Sequence, residues 1–420
     1  MKSFDVVIIG AGLAGLQCAR LLSREKIRIL LVDRKKDLTK GIHTTGIFVR
    51  KTFEDFEFPP KTLGKAISNV TLYSPKLKTL KLNSENDEFR VGNMGLLYES
   101  YLAECIENGV EFLNEARYVT STAASNISTA SGSDRAGERD PEPGNSYQNP
   151  AASRTDRWSV IDLEKQGETI RVKTKVLIGA DGARSRVAKD LELDENTEWI
   201  IGYEEVYQGV PLEGEPQLHC FLDAKLSPGY LAWISNDGEE THIGVGGYPS
   251  GFDPRKAYKV FKSSVAANFV NIENAEMKET RGGRIPVGGV LKNIANERGL
   301  LIGDAAGAVS PLTAGGLDPC MRLSKFAAEV VCERLRSDEA AVLNRYSGEM
   351  FRAKFTTRLL MRRILKTFTY QSLLEMGFRF LRGEFGKKIA EKIFFRRASF
   401  PDIETDKTTR RLSAGHILSR

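Results

Sequence analysis

The N-terminal segment places a glycine-rich turn between patterns that strongly restrict the fold. Residues 5–9 are an apolar run of strand length, residues 13–23 space their apolar side chains as a helix does, and residues 27–32 are a second aliphatic run. Strand, helix and strand in this order predict a βαβ unit of about 30 residues. A chain that begins in this way is expected to build an α/β fold with helices packed on a sheet.

The turn has the pattern G-x-G-x-x-G, formed by Gly10, Gly12 and Gly15. The first glycine permits the tight turn, the second lets a pyrophosphate approach the backbone, and the third allows close packing of helix on strand. The free N–H groups at the start of the helix then receive the phosphates. We expect Ala14, in the same turn, to contact the ligand as well.

Asp33 ends the second strand 18 residues beyond Gly15, where a carboxylate binds the ribose hydroxyls of a dinucleotide. Arg34 follows it and is expected at the same end of the site. Since strand, helix, second strand and terminal acid are all in place, the segment predicts a dinucleotide site. FAD and NAD both carry an adenosine ribose, so this unit alone leaves the choice between them open.

The composition is that of a globular protein with a substantial core. Of 420 residues, 41% are hydrophobic and 28% charged, and no run of about 18 apolar residues occurs. Neither a transmembrane helix nor a signal peptide is expected, so we predict a cytoplasmic protein or one peripheral on the cytoplasmic membrane face. The five cysteines lack a C-x-x-C spacing and the four histidines lack ligand spacing, so no bound metal is expected.

Positive charge is concentrated at the C-terminal end. Residues 341–420 carry 18 Lys and Arg against 7 Asp and Glu, whereas the whole chain has a net charge of +6. Two basic amphipathic stretches occur there, at residues 354–366 and 387–397. Such helices either lie on anionic lipid or cover another domain with their apolar stripe, and the pattern leaves both open. Nucleic acid is not expected, because the aromatic side chains share the apolar faces.

Two further acidic turns follow apolar strands. They are GADGARSR at residues 179–186 and GDAAGAVSPLTAGGL at residues 303–317, each leading into a helical pattern. Free N–H groups at the start of the second helix would point at a ligand, and its dipole would stabilise negative charge there. The residues of these turns expected to contact the ligand are Asp181, Gly182, Gly303, Asp304, Pro311, Gly315, Gly316 and Leu317.

With these motifs in order, the chain resembles the flavoproteins that share the p-hydroxybenzoate hydroxylase fold. Within that group it is most similar to the geranylgeranyl reductase family. The resemblance covers residues 1–336 and is carried by GAGLAG, GADGARS, RGGRIPVGG and GDAAGAVSPLTAGGL. It implies FAD as the cofactor, with Asp33 at the adenosine ribose, Asp181 near the entry path and Asp304 at the ribityl chain. It also implies that Gly316 and Leu317 face the isoalloxazine.

The same comparison brings two more segments to the cofactor. The backbone near Val119 would flank adenine, and the loop at residues 43–46, with Thr45 and Gly46, would approach the flavin ring. His43 in this loop is the candidate for proton transfer, because histidine exchanges protons near neutral pH. The alternative is that His43 only hydrogen-bonds the backbone.

The resemblance also predicts how the chain is organised. We expect an α/β protein in which a Rossmann-type FAD-binding domain is interleaved with an antiparallel β-sheet substrate domain and followed by a helical C-terminal region. The predicted segments are 1–60, 93–195 and 281–336 for the FAD-binding domain, with a disordered insertion at 121–157; 61–92 and 196–280 for the substrate domain; 337–400 for the basic helical region; and 401–420 for a flexible tail.

Geranylgeranyl reductases carry P-x-x-Y-x-W-x-F-P along the substrate sheet. This chain keeps the spacing from Pro228 to Trp233, but its tyrosine, Tyr230, is displaced by one residue. We expect Tyr230 and Trp233 to line the substrate site, although a one-residue shift within a strand would turn the tyrosine to the other face. The loop at residues 41–46 lacks the cysteine that many relatives place beside the flavin.

These observations predict an FAD-dependent oxidoreductase that transfers a hydride to or from an apolar, isoprenoid or lipid-like substrate. No second nucleotide motif occurs, so NAD(P)H binding transiently, or another reduced carrier, would supply electrons. Two alternatives remain open. One is a monooxygenase or halogenase of the same fold, and the other is a flavin electron carrier or membrane redox partner without a small-molecule substrate.

Overall fold

The computed structural model describes residues 1–124, 158–367 and 370–395. Most of the insertion predicted at 121–157, and the whole tail predicted at 401–420, lie outside the described residues. The strands are β1 (Lys2–Ile9), β2 (Ile29–Val32), β3 (Ile47–Val49), β4 (Leu63–Ile67), β5 (Asn69–Tyr73), β6 (Thr79–Asn83), β7 (Phe89–Gly92), β8 (Glu111–Leu113), β9 (Ala116–Ala123), β10 (Ser159–Lys165), β11 (Glu168–Gly179), β12 (Trp199–Gln208), β13 (Gln217–Phe221), β14 (Ala232–Asn236), β15 (Glu240–Gly247), β16 (Glu276–Pro286), β17 (Ala295–Asn296) and β18 (Gly299–Leu301).

The described part of the chain also contains α-helices and short 3-10 turns. The α-helices are α1 (Leu13–Ser23), α2 (Arg50–Asp55), α3 (Met94–Glu107), α4 (Arg186–Asp190), α5 (Pro254–Ser264), α6 (Leu317–Ser337), α7 (Gly348–Ala353), α8 (Thr356–Thr367), α9 (Gln371–Leu381) and α10 (Glu384–Phe394). The predicted βαβ unit is therefore present as β1, α1 and β2. None of the helices in this part of the chain has both the length and the apolar character that spanning a bilayer requires.

The first sheet has a parallel centre in the order β18-β11-β1-β2-β8, and β17, β10 and β9 extend it by antiparallel pairing. Strand β1 is buried on both faces over residues 6–9, and α1 packs against β1 and β2. This explains why its sequence is a continuous apolar run rather than an alternating one. The carboxyl ends of β1, β2, β11 and β18 meet at one edge, where the three dinucleotide motifs begin.

The turn between β1 and α1 needs two of its glycines for packing. Gly10 has a φ of +103°, and a Cβ there would lie 2.3 Å from the carbonyl oxygen of Ala180. A Cβ on Gly15 would lie 1.9 Å from the carbonyl oxygen of Gly10. Helix α1 therefore approaches the strand edge closely only because both residues lack a side chain.

The second sheet has seven strands in the order β16-β12-β15-β14-β13-β5-β6. It is antiparallel except that β13 and β5 pair in parallel, so the predicted antiparallel sheet contains one parallel pair. Helix α5 covers one face, where Tyr258 and Phe261 are buried. Residues of the other face, among them Glu204 and Trp233, line a cavity. Strands β3, β7 and β4 form a third, small sheet. The predicted fold class is confirmed, while the domain boundaries remain predictions.

Candidate active site

A cavity of about 1000 Å³ joins the two sheets and the C-terminal helices. One end is formed by the glycine-rich turn and the carboxyl ends of the first sheet. The middle is bounded by the loop at residues 43–46 and by the turn at residues 310–316. The far end is walled by the seven-stranded sheet and by α8, α9 and α10. The cavity therefore runs from the dinucleotide motifs to an apolar chamber.

The glycine-rich turn gives the cavity a space that suits a pyrophosphate. A Cβ on Gly12 would meet no protein atom within 4 Å, in contrast to the crowded Gly10 and Gly15. Gly12 is the N-cap of α1 and no side chain caps this helix, so backbone N–H groups face the cavity. Ala14 also lines it. Open space at a helix N-terminus is what a phosphate group needs.

Asp33 lies at the end of β2 and faces the cavity. One carboxylate oxygen accepts a hydrogen bond from the Ala11 N–H at 2.7 Å, and the other accepts from the Lys35 N–H at 2.8 Å. These bonds fix the carboxylate beside the glycine-rich turn, with lone pairs remaining for ribose hydroxyls. Arg34 is exposed and also lines the cavity.

The cavity meets the start of β9. Ala116, Arg117 and Tyr118 line it and Val119 does not, so the contact of the backbone near Val119 with adenine stays a prediction. Strand β9 begins beside β2, where the Ala116 N–H donates to the Asp33 carbonyl at 3.0 Å. The start of the strand therefore lies next to Asp33.

Asp181 lines the cavity, but its carboxylate also caps a helix. It accepts from the Ser185 hydroxyl at 2.6 Å and from the N–H groups of Arg186 and Val187 at 2.7 Å and 3.2 Å. Burial raises the pKa of Asp181, although these hydrogen bonds partly offset the effect. Gly182 follows with a φ of +86° and also lines the cavity. Asp181 therefore holds the shape of this turn in addition to facing the ligand space.

Asp304 is a half-buried acid for whose carboxylate no hydrogen-bond donor is found among the described residues. It lies in the 3-10 turn Gly303–Ala306 after β18, and its side chain lines the cavity. Burial raises the pKa of Asp304 to about 6. A buried polar group normally has a partner. The hydroxyl-rich ribityl chain of FAD is a partner of the right chemistry, which fits the role that the resemblance implied.

Helix α6 points its N-terminus at the same region. Gly315, Gly316 and Leu317 line the cavity, and Gly316 caps the helix without a side-chain hydrogen bond. Pro311 is buried and does not line it, so its contact with the cofactor stays a prediction. The turn closes through a hydrogen bond from the Ser310 N–H to the Gly315 carbonyl.

Two side chains from outside the first sheet fasten this turn. The Tyr230 hydroxyl donates to the Thr313 carbonyl at 2.8 Å, and the Arg358 guanidinium donates to the Ser310 hydroxyl at 2.8 Å. Ala314 within the turn has a φ of +53°, a conformation that costs a residue with a Cβ about 1 kcal/mol or more. The substrate sheet and α8 thus hold the turn that leads into α6.

The loop at residues 43–46 is held by the substrate sheet. His43 Nδ1 lies 2.7 Å from the Gly282 carbonyl, and Arg281 donates to the carbonyls of Thr44 and Thr45 at 3.0 Å and 3.2 Å. Because a carbonyl only accepts, the Nδ1 of His43 carries the hydrogen and Nε2 remains the second site for proton exchange. His43 is exposed, and with Thr45 and Gly46 it lines the cavity.

One buried acid of the site was not identified from the sequence. Glu204 on β12 is 2% exposed and accepts from the Thr45 hydroxyl at 2.6 Å and from Trp233 Nε1 at 2.7 Å. Burial alone would raise the pKa of Glu204. The pKa is nevertheless held below its usual range by a hydrogen bond and charge from His242, by the charge of Arg281 and by the hydrogen bond from the Thr45 hydroxyl. Strand alternation could not tell which of two adjacent glutamates faces inward.

Tyr230 and Trp233 both line the cavity, with ring centroids 6.5 Å apart. The shifted position of Tyr230 does not turn it away. It lies in the turn before β14, where its N–H donates to the Ser227 carbonyl, so strand alternation does not apply to it. Gly244 and Gly246 on the neighbouring β15 leave room for the indole and the phenol rings. These glycines were a usable sequence signal.

The C-terminal helices form the roof of the apolar end. Helix α8 is anchored by Arg362, which is buried and donates to the Tyr248 hydroxyl at 3.0 Å. The apolar side chains that line this end are Leu72, Leu218, Leu222 and Leu231 from the sheet side, and Leu365, Leu381, Ala390, Ile393, Phe394 and Phe395 from the helices. The basic helices were expected either to lie on anionic lipid or to cover another domain. Their inner face covers the apolar end of the cavity.

Metal chemistry has no candidate centre in the residues described. No group of three or more His, Cys, Asp and Glu side chains comes together there in a way that could hold a metal ion. The five cysteines are buried and unpaired.

Comparisons with known proteins agree with this geometry. Residues 144–362, about half of the chain, match the family described as FAD binding domain, and residues 4–200 match the family of pyridine nucleotide-disulphide oxidoreductases. A curated relative, digeranylgeranylglycerophospholipid reductase 2 of Methanopyrus kandleri, is 26% identical over 94% of this chain and 97% of its own length. The resemblance to the geranylgeranyl reductase family is thereby confirmed.

Solved structures with the same fold include a geranylgeranyl bacteriochlorophyll reductase-like protein from Thermoplasma acidophilum. It has a TM-score of 0.75 and 16% identity, covering 94% of this chain and 97% of that one. A ternary complex of aklavinone-11 hydroxylase with FAD and aklavinone has a TM-score of 0.61 and 17% identity, covering 86% and 69%. The open space at Gly12 and the carboxylate of Asp304 are suited to FAD, in agreement with the family match. The chain therefore belongs to the FAD binding domain family and is an FAD-dependent oxidoreductase.

Proposed function

We propose that this enzyme reduces carbon–carbon double bonds of an isoprenoid-type lipid. The observation that carries the proposal is the apolar chamber continuous with the dinucleotide cavity, walled by ten aliphatic and aromatic side chains of the second sheet and the C-terminal helices. Such a chamber suits a long hydrocarbon chain and offers few partners to a polar substrate. The curated relatives named as digeranylgeranylglycerophospholipid reductases point to the same substrate class.

FAD, which the glycine-rich turn, Asp33 and Asp304 would hold, would supply the hydride in its reduced form, and NAD(P)H or another reduced carrier would reduce it again. Reduction of one double bond also takes up a proton, which we assign to exchange through His43 Nε2. Tyr230 and Trp233 form the wall against which the reacting carbons lie. The apolar roof excludes water, which favours hydride transfer to carbon over side reactions.

The test is single-turnover oxidation of the anaerobically reduced protein by a geranylgeranyl-chain lipid, followed by flavin absorbance and mass spectrometry of the lipid. We expect oxidation together with a mass gain of two hydrogens per double bond. Oxygenated product formed only with O₂ would favour the monooxygenase alternative. Electron transfer to a protein acceptor without any change in the lipid would favour the electron carrier.

A matched pair of variants tests the chamber itself. Ala390 is buried and lines the apolar end, whereas Ala353 on α7 is exposed. Ala390→Phe should slow oxidation by the geranylgeranyl lipid at least about tenfold while sparing a short geranyl substrate, because the added ring fills the end of the chamber. Ala353→Phe should behave as wild type. Equal loss on both substrates in Ala390→Phe would contradict the assigned chamber.

We further propose that the outer face of α9 and α10 lies on an anionic membrane. Leu373, Met376 and Phe380 share one face of α9 at i, i+3 and i+7 spacing, and they are 36%, 63% and 58% exposed. Phe385 of α10 is 69% exposed and packs edge-on against Phe380. The exposed cations beside this stripe are Arg379, Arg382, Lys387 and Lys388. An apolar stripe flanked by positive charge is the pattern of a helix in the interface of anionic lipid.

Such a position would place the roof of the chamber against the bilayer that holds a lipid substrate. Co-sedimentation of the full chain with phosphatidylglycerol vesicles should exceed that with phosphatidylcholine vesicles. The double variant Met376→Ser/Phe380→Ser should lose most binding, and the control Ile106→Ser/Val260→Ser, at residues 52% and 47% exposed elsewhere, should keep it. Equal co-sedimentation of both double variants would contradict membrane binding through this face.

A further inference from the structure

Two adjacent glutamates of β12 lie on opposite faces of the seven-stranded sheet. Glu204 lines the cavity and is 2% exposed. Glu205 lies under α5, where it accepts hydrogen bonds from Tyr258 at 2.8 Å and from Lys262 at 3.1 Å. Both carboxylates are therefore engaged in hydrogen-bond networks of similar extent, but only one of them faces the cavity. This pair provides a built-in comparison between a site role and a structural role.

A single oxygen of Glu204 joins two parts of the site. Its Oε2 accepts from the Thr45 hydroxyl at 2.6 Å and from Trp233 Nε1 at 2.7 Å. Thr45 belongs to the loop that precedes β3, on the cofactor side, and Trp233 belongs to β14, in the wall of the apolar chamber. Because the two donors share one acceptor atom, a displacement of either donor changes the geometry available to the other.

The remaining oxygen of Glu204 is held by positive and polar groups. His242 Nδ1 lies 3.3 Å from Oε1, and Arg281 Nη1 lies 3.8 Å from it. The same Arg281 nitrogen donates to the carbonyls of Thr44 and Thr45. The loop is therefore hydrogen-bonded through its backbone as well as through the Thr45 hydroxyl. A buried carboxylate with these partners stays ionised, and an ionised carboxylate accepts stronger hydrogen bonds than a neutral group.

We propose that Glu204 is a positioning residue that couples the substrate wall at Trp233 to the flavin-facing loop at Thr45. It sets the orientation of both donors with one charged oxygen and does not itself touch the reacting atoms. The inference builds on the FAD assignment but not on the identity of the substrate. The measurements below therefore test the coupling whether or not the protein reduces isoprenoid lipids.

The first measurement reads the Trp233 end of this link in the FAD-bound protein. The chain has three tryptophans, at residues 158, 199 and 233, so ¹⁵N-tryptophan labelling gives three indole N–H resonances, and Trp233→Phe assigns the one of interest. Glu204→Gln should shift the Trp233 resonance, because the charged acceptor is replaced by a neutral one. Thr45→Val, which changes only the loop end, should also shift it. Glu205→Gln should leave it in place.

The second measurement reads the flavin end. Glu204→Gln removes a negative charge from the cavity wall, so the midpoint potential of bound FAD should become more positive and its visible circular dichroism should change. Trp233→Phe should change the flavin dichroism in the wild-type background but not in the Glu204→Gln background, since the link is already broken there. Glu205→Gln should lower thermal stability without altering either flavin signal.

The outcome that overturns the proposal is a Glu204→Gln protein that loses stability as Glu205→Gln does but keeps the wild-type potential and dichroism. Glu204 would then be a structural residue only. If Glu204→Gln does not fold, Thr45→Val tests the coupling instead, because valine has the shape of threonine and replaces its hydroxyl with a methyl group. An unmoved Trp233 resonance in folded Thr45→Val would equally refute the coupling.

Discussion

The hydroxyl of Tyr230 donates a 2.8 Å hydrogen bond to the carbonyl oxygen of Thr313. This bond ties the substrate side of the cavity to the turn that leads into α6. Arg362 lies over the same Tyr230 ring, 5.6 Å from its centroid. The two halves of the site are therefore connected through one aromatic residue, and the contact can be removed without changing the size of the ring.

Tyr230→Phe should lower the free energy of unfolding by about 0.5–1.5 kcal/mol, because it removes one hydrogen bond and leaves the Thr313 carbonyl without it. Thermal unfolding of the FAD-bound protein measures the effect. Tyr370, which is 68% exposed, is the control position, and Tyr370→Phe should leave stability unchanged. Equal stability of the two variants would mean that the bond contributes nothing to the turn.

Gly12 and Gly15 should respond differently to the same substitution. Gly15→Ala forces a Cβ against the Gly10 carbonyl, so the apoprotein itself should lose about 1–3 kcal/mol of stability. Gly12→Ala meets no protein atom and its φ of −75° suits any residue, so the apoprotein should stay stable while FAD affinity falls at least about tenfold. Calorimetric titration of apoprotein with FAD, with thermal unfolding, separates the two effects. Normal FAD affinity in Gly12→Ala would contradict the assigned pyrophosphate space.

FAD affinity should depend on pH through Asp304. Burial raises the pKa of Asp304 to about 6 without FAD, and ribityl hydroxyls donate best to the ionised carboxylate. Below about pH 6 the carboxyl must first lose its proton, so affinity should rise with pH by up to about tenfold per unit and level off above it. Correspondingly, the apoprotein should lose stability as pH rises from about 4 through 6, since the folded state favours the protonated acid.

Asp304→Asn removes the titrating group, so its FAD affinity should be lower and flat across the same pH range. The control is Glu213→Gln at an exposed position, which should keep the wild-type profile. Titration of apoprotein with FAD at several pH values measures both. A wild-type slope that persists in Asp304→Asn would assign the proton to another group.

Gly244 makes room for Trp233. A Cβ on Gly244 would lie 2.2 Å from the indole ring, so Gly244→Ala should displace it, break its bond to Glu204 and destabilise the protein by about 1–3 kcal/mol. The smaller ring of Trp233→Phe should partly rescue the double variant, which a double-mutant cycle of unfolding free energies would measure. Gly288→Ala, where the nearest atom is 3.7 Å away, is the control and should cost little. Strict additivity of the cycle would contradict the direct clash.

The sequence predicted the parts of the site that depend on local backbone geometry. Gly10, Gly12 and Gly15 are recognisable because a strand-to-helix turn that admits a phosphate needs glycine at that spacing. Asp304 is recognisable for a related reason, since it directly follows a buried strand and precedes a glycine-rich turn. The fold class followed from the order of these motifs.

Contacts between segments far apart in the chain were not predictable in the same way. Val119 and Pro311 were predicted at the cofactor by analogy, and in the structure their neighbours Tyr118 and Leu312 line the cavity instead. Glu204 was missed because period-two alternation tells which residues share a face and not which face is buried. That choice depends on α5 covering one side of the sheet.

The sequence was sufficient to predict three ligand-binding turns at strand ends, because the backbone geometry of each turn depends on residues close together in the chain. Which side chains face these turns across the cavity depends on long-range contacts. Thr45, Trp233 and Arg281 lie far apart in the sequence. Strand pairing within the second sheet brings Trp233 and Arg281 to Glu204, and Thr45 reaches it because its loop packs against that sheet. The roof of the apolar chamber likewise depends on how α9 and α10 fold back over the second sheet, since an amphipathic pattern does not specify what its apolar face will cover.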